Sequence, residues 1–338
     1  MLSSIVPSHL PALVREAFVK AQANGDLIYY PTQVAILTVG SFAVGAHDAS
    51  GLMTSLTVDC QFQLRYSPSL AQKPKPPKPV EPNAKPFNPF ENPSPALLVA
   101  QLPPSHRLVL NKFAIVPEHF ILATSDFKPQ THLLETSDVD AAYACIQAYR
   151  SAAEELFVFF NSGRHSGASQ SHRHLQLLPV NRMKDGLENI EQGEKWCVLA
   201  DEVCGKRETL PFSVFTSPIS ADMTAEEKHL AYLSLYKRAV RATIANVEAA
   251  SEGEAQISYN FAMTSTCMAL CPRTAEGASF KDDNGNDVGS VALNGTVLAG
   301  TALVKSKPEW DALTTTNTIL SDVLGMIGVP PTDALYRE

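Results

Sequence analysis

A proline-rich segment interrupts the N-terminal half of the chain. Ten of the 24 prolines fall between Pro68 and Pro95, in PSLAQKPKPPKPVEPNAKPFNPFENPSP. Proline donates no backbone hydrogen bond and fixes its own φ, so a stretch this rich in proline cannot enter the interior of a sheet or a helix. It therefore predicts an extended surface loop over residues 68–95, and regular structure has to form on either side of it.

Strand patterns cluster on both sides of this loop. VAILTVG (34–40) and CQFQLRY (60–66) precede it, and the second alternates with the period of a half-buried strand. RLVLNKFAIVPEHFILAT follows it and indicates two strands separated by Pro117, and further apolar strands are indicated at 257–263 and 297–304. Because the strands cluster instead of alternating with helices, we predict an α+β fold with an antiparallel sheet, not a doubly wound one.

Two helices are predicted from capping patterns followed by apolar residues at helical spacing. Ser137 with Asp140 indicates a helix that runs to about Glu155, and Thr224 with Glu227 indicates a longer one. Between them, residues 181–208 are charged and irregular, which is typical of a connection. The chain therefore divides into an N-terminal region, residues 1–180, and a C-terminal α+β half, residues 209–330.

Composition excludes several classes of protein. A chain of 338 residues with 45% hydrophobic and 18% charged residues is typical of a soluble globular protein. The formal net charge of −8 argues against a general nucleic-acid binder. The N-terminus lacks the pattern of a secretory signal, and the longest apolar run, residues 291–304, is interrupted and shorter than the about 20 residues of a membrane span. We expect a protein of the cytoplasm, with the nucleus as a second compartment, and no membrane partner.

The cysteines do not predict a metal site. The six cysteines contain no Cys-x-x-Cys pair, and Cys267 and Cys271 are one residue too far apart for a zinc knuckle. We expect free thiols, no structural zinc and no metal held by the protein.

The most informative stretch is NSGRHSGASQSHRHLQLLPV, residues 161–180. An extended pattern resumes at His172, and a period of two places His172, His174 and Gln176 on one face of the strand. The preceding loop contains two glycines and several hydroxyl groups, a composition suited to placing backbone N–H groups around an anion.

Three interpretations of the two histidines compete. They are hydrogen-bonded core residues, or ligands of a metal, or a nucleophile and its neighbour acting on a phosphate. The metal site lacks a third ligand at matching spacing, and glutamine is a poor ligand for transition metals. Imidazole, with a reference pKa of about 6.5, is largely unprotonated at neutral pH and can attack phosphorus. Gln176 could then donate an amide N–H to a phosphoryl oxygen without adding charge.

His172-Arg-His174-Leu-Gln176 resembles the His-x-His-x-Gln motif of the nucleotide-transferring branch of the histidine-triad superfamily. Together with NSGRHSGASQSH, it is similar to the diadenosine tetraphosphate phosphorylases (ATP adenylyltransferases) of fungal type. The likeness continues in LNKFAIVPEHFILAT, SYNFAM, CPR and LNGTVLAGTALVK, and so spans most of the chain. It implies a histidine-triad-like antiparallel sheet with flanking helices, completed by the C-terminal half. The absence of the zinc-binding cysteines of the related galactose-1-phosphate uridylyltransferases argues against a sugar-nucleotide enzyme.

The resemblance also implies roles for individual residues. His174 corresponds to the nucleophile that becomes adenylylated, Gln176 to a phosphate-contacting side chain and His172 to a positioning group. The other residues that it places around the substrate are Lys73, Asn111, Lys112, Asn161, Gly167, Ala168, Ser169, Gln170, Asn294, Gly295, Thr296, Thr301 and Lys305. We expect residues 74–95 to be poorly ordered until substrate binds, with Lys73 meeting the polyphosphate.

The activity implied is the reversible conversion of diadenosine tetraphosphate (Ap4A) and phosphate to ATP and ADP through a covalent His174–AMP. A divalent cation, Mg²⁺ in our expectation, would be carried by the polyphosphate, and adenosine 5′-phosphosulfate would be a second donor. Two alternatives stay open from the sequence: a hydrolase of the same superfamily, and a nucleotide-binding sensor without turnover. A monomer is the favoured oligomeric state.

Overall fold

The computed structural model describes residues 6–47, 53–72, 87–188, 190, 193–206, 209–282, 285–316 and 318–331. Lys73 and residues 74–86 of the proline-rich segment therefore lie outside the described residues. None of the helices within these ranges combines the length and hydropathy that a membrane span requires.

The strands of this part of the chain are β1 (Ile28–Tyr29), β2 (Gln33–His47), β3 (Met53–Tyr66), β4 (Leu98–Leu102), β5 (His106–Leu110), β6 (Phe113–Ala114), β7 (Phe120–Thr124), β8 (Leu156–Ser162), β9 (His174–Pro179), β10 (Phe215–Pro218), β11 (Ser258–Met263), β12 (Cys267–Arg273), β13 (Gly277–Lys281), β14 (Asp287–Ala292) and β15 (Thr301–Val304). The helices are α1 (Leu10–Ala23), α2 (Thr136–Ser151), α3 (Val180–Met183), α4 (Leu199–Val203), α5 (Ala225–Thr243), α6 (Lys307–Thr315) and α7 (Ile319–Ile327).

Eight strands form one antiparallel sheet in the order β10-β12-β11-β8-β9-β7-β5-β4. β8 of the N-terminal region pairs with β11 of the C-terminal half, with Asn161 opposite Asn260, so the sheet continues across both halves of the sequence. The predicted α+β fold with an antiparallel sheet is confirmed. A second sheet, β15-β3-β2, contains the two strands predicted before the proline-rich segment, and β15 adds to it in parallel.

Each face of the large sheet packs against its own core. On one face, Leu175 and Leu177 of β9 pack with residues of α1, α2 and α5, because alternate side chains of a strand point the same way. On the other face, Phe157 and Phe159 of β8 pack with β3 and with residues that follow β14. His174 and Gln176 belong to this second face, at the border of its core.

The connection at 181–208 contributes to that second core. α3 and α4 lie at its two ends, and Trp196 and Leu199 are fully buried in the same cluster as Phe159. Although the composition of this segment is charged, the segment is not confined to the surface, because its few apolar residues pack into the core.

The first predicted helix begins earlier and ends earlier than expected. Its N-cap is Glu135, which forms a capping box with Asp138, so the expectation that Ser137 caps it was wrong. Glu135 is held in place by ion pairs with Lys128 and Arg173, contacts that a local pattern does not contain. α2 ends at Ser151, and the chain then takes a left-handed conformation at Ala153. The capping box of α5, Thr224 with Glu227, is confirmed.

The strand expected at 297–304 is only half a strand. Residues Gly295–Ala299 form a 3-10 turn whose N-cap, Asn294, accepts a hydrogen bond from the Thr296 backbone at 3.0 Å. Gly300, with φ of 70°, ends the turn, and only Thr301–Val304 is extended. The prediction of a single strand over these residues was therefore wrong for its first half.

A buried charged network ties β9 to α2 and β5. Arg173, immediately before β9, donates to both Glu135 and Asp138 at 2.8 Å, and His106 donates Nε2–H to the other oxygen of Asp138 at 2.8 Å. Burial by itself raises the pKa of Asp138, but the His106 hydrogen bond and the Arg173 charge together lower it. The network fixes the chain directly beside His174.

Asp138→Ala is predicted to lower the free energy of unfolding by about 3–5 kcal/mol, because among the described residues it leaves the buried Arg173 with only the half-exposed Glu135 as an ionic partner. Urea unfolding at neutral pH measures this. Asp311→Ala, which removes the exposed Lys307–Asp311 pair, is the control and should cost less than about 1 kcal/mol. Equal losses in the two variants would contradict a structural role for the buried network.

Candidate active site

His174 and Gln176 lie side by side on β9, as the alternation predicts. His174 is paired with Ala123 and Gln176 with Ile121 of β7, and Gln176 also with Phe159 of β8. His174 is 4% exposed, whereas Gln176 is half-buried. Within the described residues the Gln176 side chain makes no hydrogen bond, so its amide is available to a ligand.

The hydrogen bonding of His174 defines its tautomer. Its Nδ1 lies 2.8 Å from the backbone oxygen of His172. A carbonyl oxygen only accepts, so Nδ1 carries the proton and the neutral ring keeps a lone pair on Nε2. No residue in the described ranges hydrogen-bonds that Nε2. The ring therefore presents an unprotonated, unoccupied nitrogen on the same face as Gln176.

Burial keeps this imidazole neutral. Desolvation lowers the pKa of His174 to about 4, the hydrogen bond to the His172 carbonyl opposes this shift, and the neighbouring His172 adds to it. A histidine with this pKa is unprotonated at neutral pH, which is the state that a nucleophile requires.

His172 uses both of its ring nitrogens. Nδ1 lies 2.9 Å from Nδ2 of Asn88, and Nε2 lies 2.9 Å from the carbonyl oxygen of Thr124. Nε2 therefore donates and Nδ1 accepts. Both ring nitrogens of His172 are therefore hydrogen-bonded. These bonds fix the position of His172, whose own backbone carbonyl accepts from His174, and this is the geometry of a positioning group.

Gln130 is part of the site, and the sequence did not indicate it. Regular pairing between β8 and β9 ends at Phe159 and Gln176. Beyond that point Gln130 bridges the two strands: its Oε1 accepts from the backbone N–H of His174 at 2.8 Å, and its Nε2 donates to the Asn161 carbonyl at 2.8 Å. The sequence around it, KPQTH, has no feature that separates a buried amide clamp from a surface loop.

Asn161 connects the site to the C-terminal half. Its Oδ1 accepts from the backbone N–H of Gly295 at 2.8 Å and from Nδ2 of Asn260 at 2.9 Å. A Cβ on Gly295 would lie 2.6 Å from Cδ2 of Phe159, so only glycine allows this approach. Asn260 in turn accepts from the buried Arg273, which also donates to the Leu293 carbonyl at 3.1 Å. SYNFAM and CPR thus contribute Asn260 and Arg273, two site residues that were not predicted.

The glycine-rich loop lies against the same turn. Gly167 has φ of 78°, and a Cβ on it would lie 2.8 Å from Cβ of Asn294. Ala168 and Gln170 are half-buried, and Ser169 is exposed. The structure therefore brings together the loop at 167–170, the turn that begins at Asn294, and Asn161.

Other predicted residues have different surroundings. Both ends of the Asn111 amide are used locally, with Nδ2 3.0 Å from Nδ1 of His119 and Oδ1 accepting from Phe113 N at 3.0 Å. Lys112 is exposed. Thr301 is 4% exposed, and its carbonyl accepts from the Thr296 hydroxyl at 3.2 Å.

Lys305 is exposed directly after β15, with its backbone N–H 3.3 Å from Oε2 of Glu309. No hydrogen bond or ion pair in the described ranges links Lys112 or Lys305 to His174. Lys73 lies outside these ranges. Among the described residues, no group of three or more His, Cys, Asp or Glu side chains is arranged to hold a metal.

Comparison with known proteins identifies similar chains over nearly the whole length. The family model for the Ap4A phosphorylase N-terminal domain matches residues 50–190, and the model for the ATP adenylyltransferase C-terminal domain matches residues 208–330. Diadenosine 5′,5′′′-P1,P4-tetraphosphate phosphorylase 2 of Saccharomyces cerevisiae is 28% identical, with 97% of each chain covered. The protein APA1 of the same yeast is 26% identical over 97% of this chain and 96% of its own.

Solved structures are similar as well. The crystal structure of yeast Ap4A phosphorylase Apa2 has a TM-score of 0.68 and 25% identity, covering 96% of this chain and 95% of that one. The same protein in complex with Ap4A has a TM-score of 0.67 and 25% identity, covering 96% and 98%.

The pKa of His174 leads to a direct prediction. Because the folded-state pKa is lowered, the neutral ring is the species above that pKa, and protonation begins only as the pH falls towards about 4. NMR titration of ¹⁵N-histidine-labelled protein should show Nδ1 protonated and Nε2 unprotonated from neutral pH down to about pH 5. Spectra of His174→Ala assign the signal. An inflection near the ordinary value of about 6.5, or the opposite tautomer, would contradict the geometry.

Proposed function

We infer that this chain, which belongs to the Ap4A phosphorylase family, cleaves Ap4A with phosphate to give ATP and ADP. We propose that Nε2 of His174 carries the AMP group between the two half-reactions. The observation that carries the covalent step is the 2.8 Å hydrogen bond from Nδ1 of His174 to the His172 carbonyl. This hydrogen bond leaves the lone pair on Nε2, the ring nitrogen of His174 that has no hydrogen-bond partner among the described residues.

In the first half-reaction, that lone pair attacks the phosphorus that bears one adenosine. The Nε2–P bond forms, the bond from phosphorus to the bridging oxygen breaks, and ATP leaves with the bonding electrons. The ring gains positive charge as the bond forms, and the Nδ1–H bond to His172 strengthens in response. Gln176, adjacent on β9, would donate its amide N–H to an oxygen of the transferring group.

In the second half-reaction, an oxygen of phosphate attacks the same phosphorus. The Nε2–P bond breaks, its electron pair returns to Nε2, and ADP forms. The burial that lowers the pKa of His174 also disfavours the positive charge of the adenylylated ring, which makes the imidazole a good leaving group. Reversibility and ping-pong kinetics follow, because one nitrogen attacks and leaves at the same atom.

The remaining residues have proposed roles in binding. The loop 167–170 would bind the phosphate chain through backbone N–H groups. Asn294, Gly295 and Thr296 would contact the substrate in other ways, because the N–H groups of Gly295 and Thr296 already donate to Asn161 and Asn294. Lys73 and Lys305 would neutralise polyphosphate charge, and Asn111 and Lys112 would contact the nucleoside. Mg²⁺ held by the polyphosphate oxygens would supply further charge neutralisation.

Two finer points extend the proposal. Adenosine 5′-phosphosulfate presents the same adenosyl phosphorus with sulfate as the leaving group, so it would be a second donor for His174. We propose a monomer of the cytoplasm and nucleus.

Incubation with Ap4A, with and without phosphate, tests the reaction. ATP plus ADP, formed in quantity only when phosphate is present, is the expected result. ATP plus AMP at the same rate in both conditions would mean a hydrolase, and tight binding without products would mean a sensor.

The role of His174 is tested by mixing the protein with labelled Ap4A in the absence of phosphate and mapping the adduct. An acid-labile, base-stable AMP on His174 is expected, because the bond joins nitrogen to phosphorus. His174→Ala should abolish both adduct and turnover, and His172→Ala should lower the rate less. Gln176→Ala should slow transfer by roughly 10²–10³-fold, the usual cost of one lost transition-state donor. An adduct that persists in His174→Ala would overturn the mechanism.

A further inference from the structure

The end of the proline-rich segment packs on the two histidines. Phe90 is 4% exposed, and its ring centroid lies 4.9 Å from that of His174 with an interplanar angle of 35°. The same ring meets His172 edge-on at 5.8 Å. The expectation that residues 74–95 are poorly ordered until substrate binds was therefore wrong for the part from residue 87 onwards, where Phe90 joins a small apolar cluster with Ile121 and Ala123.

Asn88 holds Phe90 in this position. The backbone N–H of Phe90 donates to Oδ1 of Asn88 at 3.1 Å, and Nδ2 of the same Asn88 lies 2.9 Å from Nδ1 of His172. His172 in turn holds His174 through its carbonyl. One short stretch thus fixes the histidine that orients the nucleophile and covers the ring of the nucleophile itself.

The placement of this phenylalanine matters for the intermediate. A phosphorylase of this kind has to keep its adenylylated histidine intact until phosphate arrives, although water is far more abundant. Water attacks efficiently when it is oriented by a polar group. Phe90 offers no such group on the side of His174 that it covers, and it displaces the water that would otherwise solvate the ring.

We propose that Phe90 determines the choice of acceptor, by excluding water from the His174–AMP bond so that phosphate is used instead. This inference rests on the covalent intermediate proposed above. The reaction that it suppresses is hydrolysis: a water oxygen bonds to phosphorus, the Nε2–P bond breaks with its electron pair returning to Nε2, the water proton passes to solvent, and AMP is released.

The experiment follows the adduct itself. Protein is loaded with labelled Ap4A without phosphate, freed of nucleotide by desalting, and the loss of protein-bound AMP is timed with and without phosphate. In Phe90→Ala the adduct should hydrolyse about tenfold faster or more, equivalent to a barrier lower by about 1.4 kcal/mol. With phosphate present, the ratio of ADP to AMP formed from the adduct should fall.

Two controls belong to this test. Phe90→Leu keeps an apolar cover and should stay near the unmodified protein. Phe87→Ala removes a phenylalanine that is 79% exposed in the same stretch and should change neither rate nor ratio. If Phe90→Ala does not fold, Phe90→Gln replaces it, because it keeps a side chain of similar length but brings a polar group that can orient water beside His174, and the ratio should shift in the same direction.

An unchanged hydrolysis rate and an unchanged product ratio in Phe90→Ala would overturn the role of Phe90. That result would leave the covalent mechanism intact, because the unmodified protein would still form the adduct. Absence of an adduct in the unmodified protein would instead refute the covalent mechanism. Because both readouts start from adduct already formed, slower loading of a variant does not affect them.

Discussion

The hydrogen bond from Nδ1 of His174 to the backbone carbonyl of His172 is the interaction on which the site depends. It selects one of two tautomers of a buried ring and directs the free lone pair to Nε2. Its acceptor belongs to the backbone, so the position of that carbonyl has to be fixed. The side chain of His172 achieves this by bonding to Asn88 on one side and Thr124 on the other, while Gln130 holds the backbone of His174.

Both halves of the chain are needed to build this arrangement. Asn161 accepts from Asn260 and from the backbone of Gly295, so the end of β8, the first half of β11 and the 3-10 turn meet at one amide oxygen. Burial lowers the pKa of Arg273, which donates to Asn260 and to backbone carbonyls of the same region. Amide N–H groups bind an anion without carrying a net charge of their own, which suits a site that a polyphosphate enters and leaves.

The sequence predicts the parts of this site that depend on local pattern. The alternation around His174 and Gln176 needs only the period of a strand, and Thr224 with Glu227 needs only the geometry of a first helical turn. Gln130, Asn88 and Phe90 were not predicted, because each acts on a strand distant in sequence and no local feature marks the contact. The start of α2 was missed for the same reason, since Glu135 is stabilised by Arg173, 38 residues away. Residues 297–299 of the 3-10 turn were predicted as strand, because buried strands and buried turns have the same apolar composition.

The stereochemical course at phosphorus tests the covalent mechanism most directly. An Ap4A analogue with one sulfur at the adenosyl phosphorus, in a single configuration, is converted with phosphate, and the configuration of the resulting ADP analogue is read by ³¹P NMR. Each in-line attack inverts the phosphorus. Two successive attacks through His174 predict net retention, whereas net inversion would mean direct transfer to phosphate and would contradict a covalent intermediate.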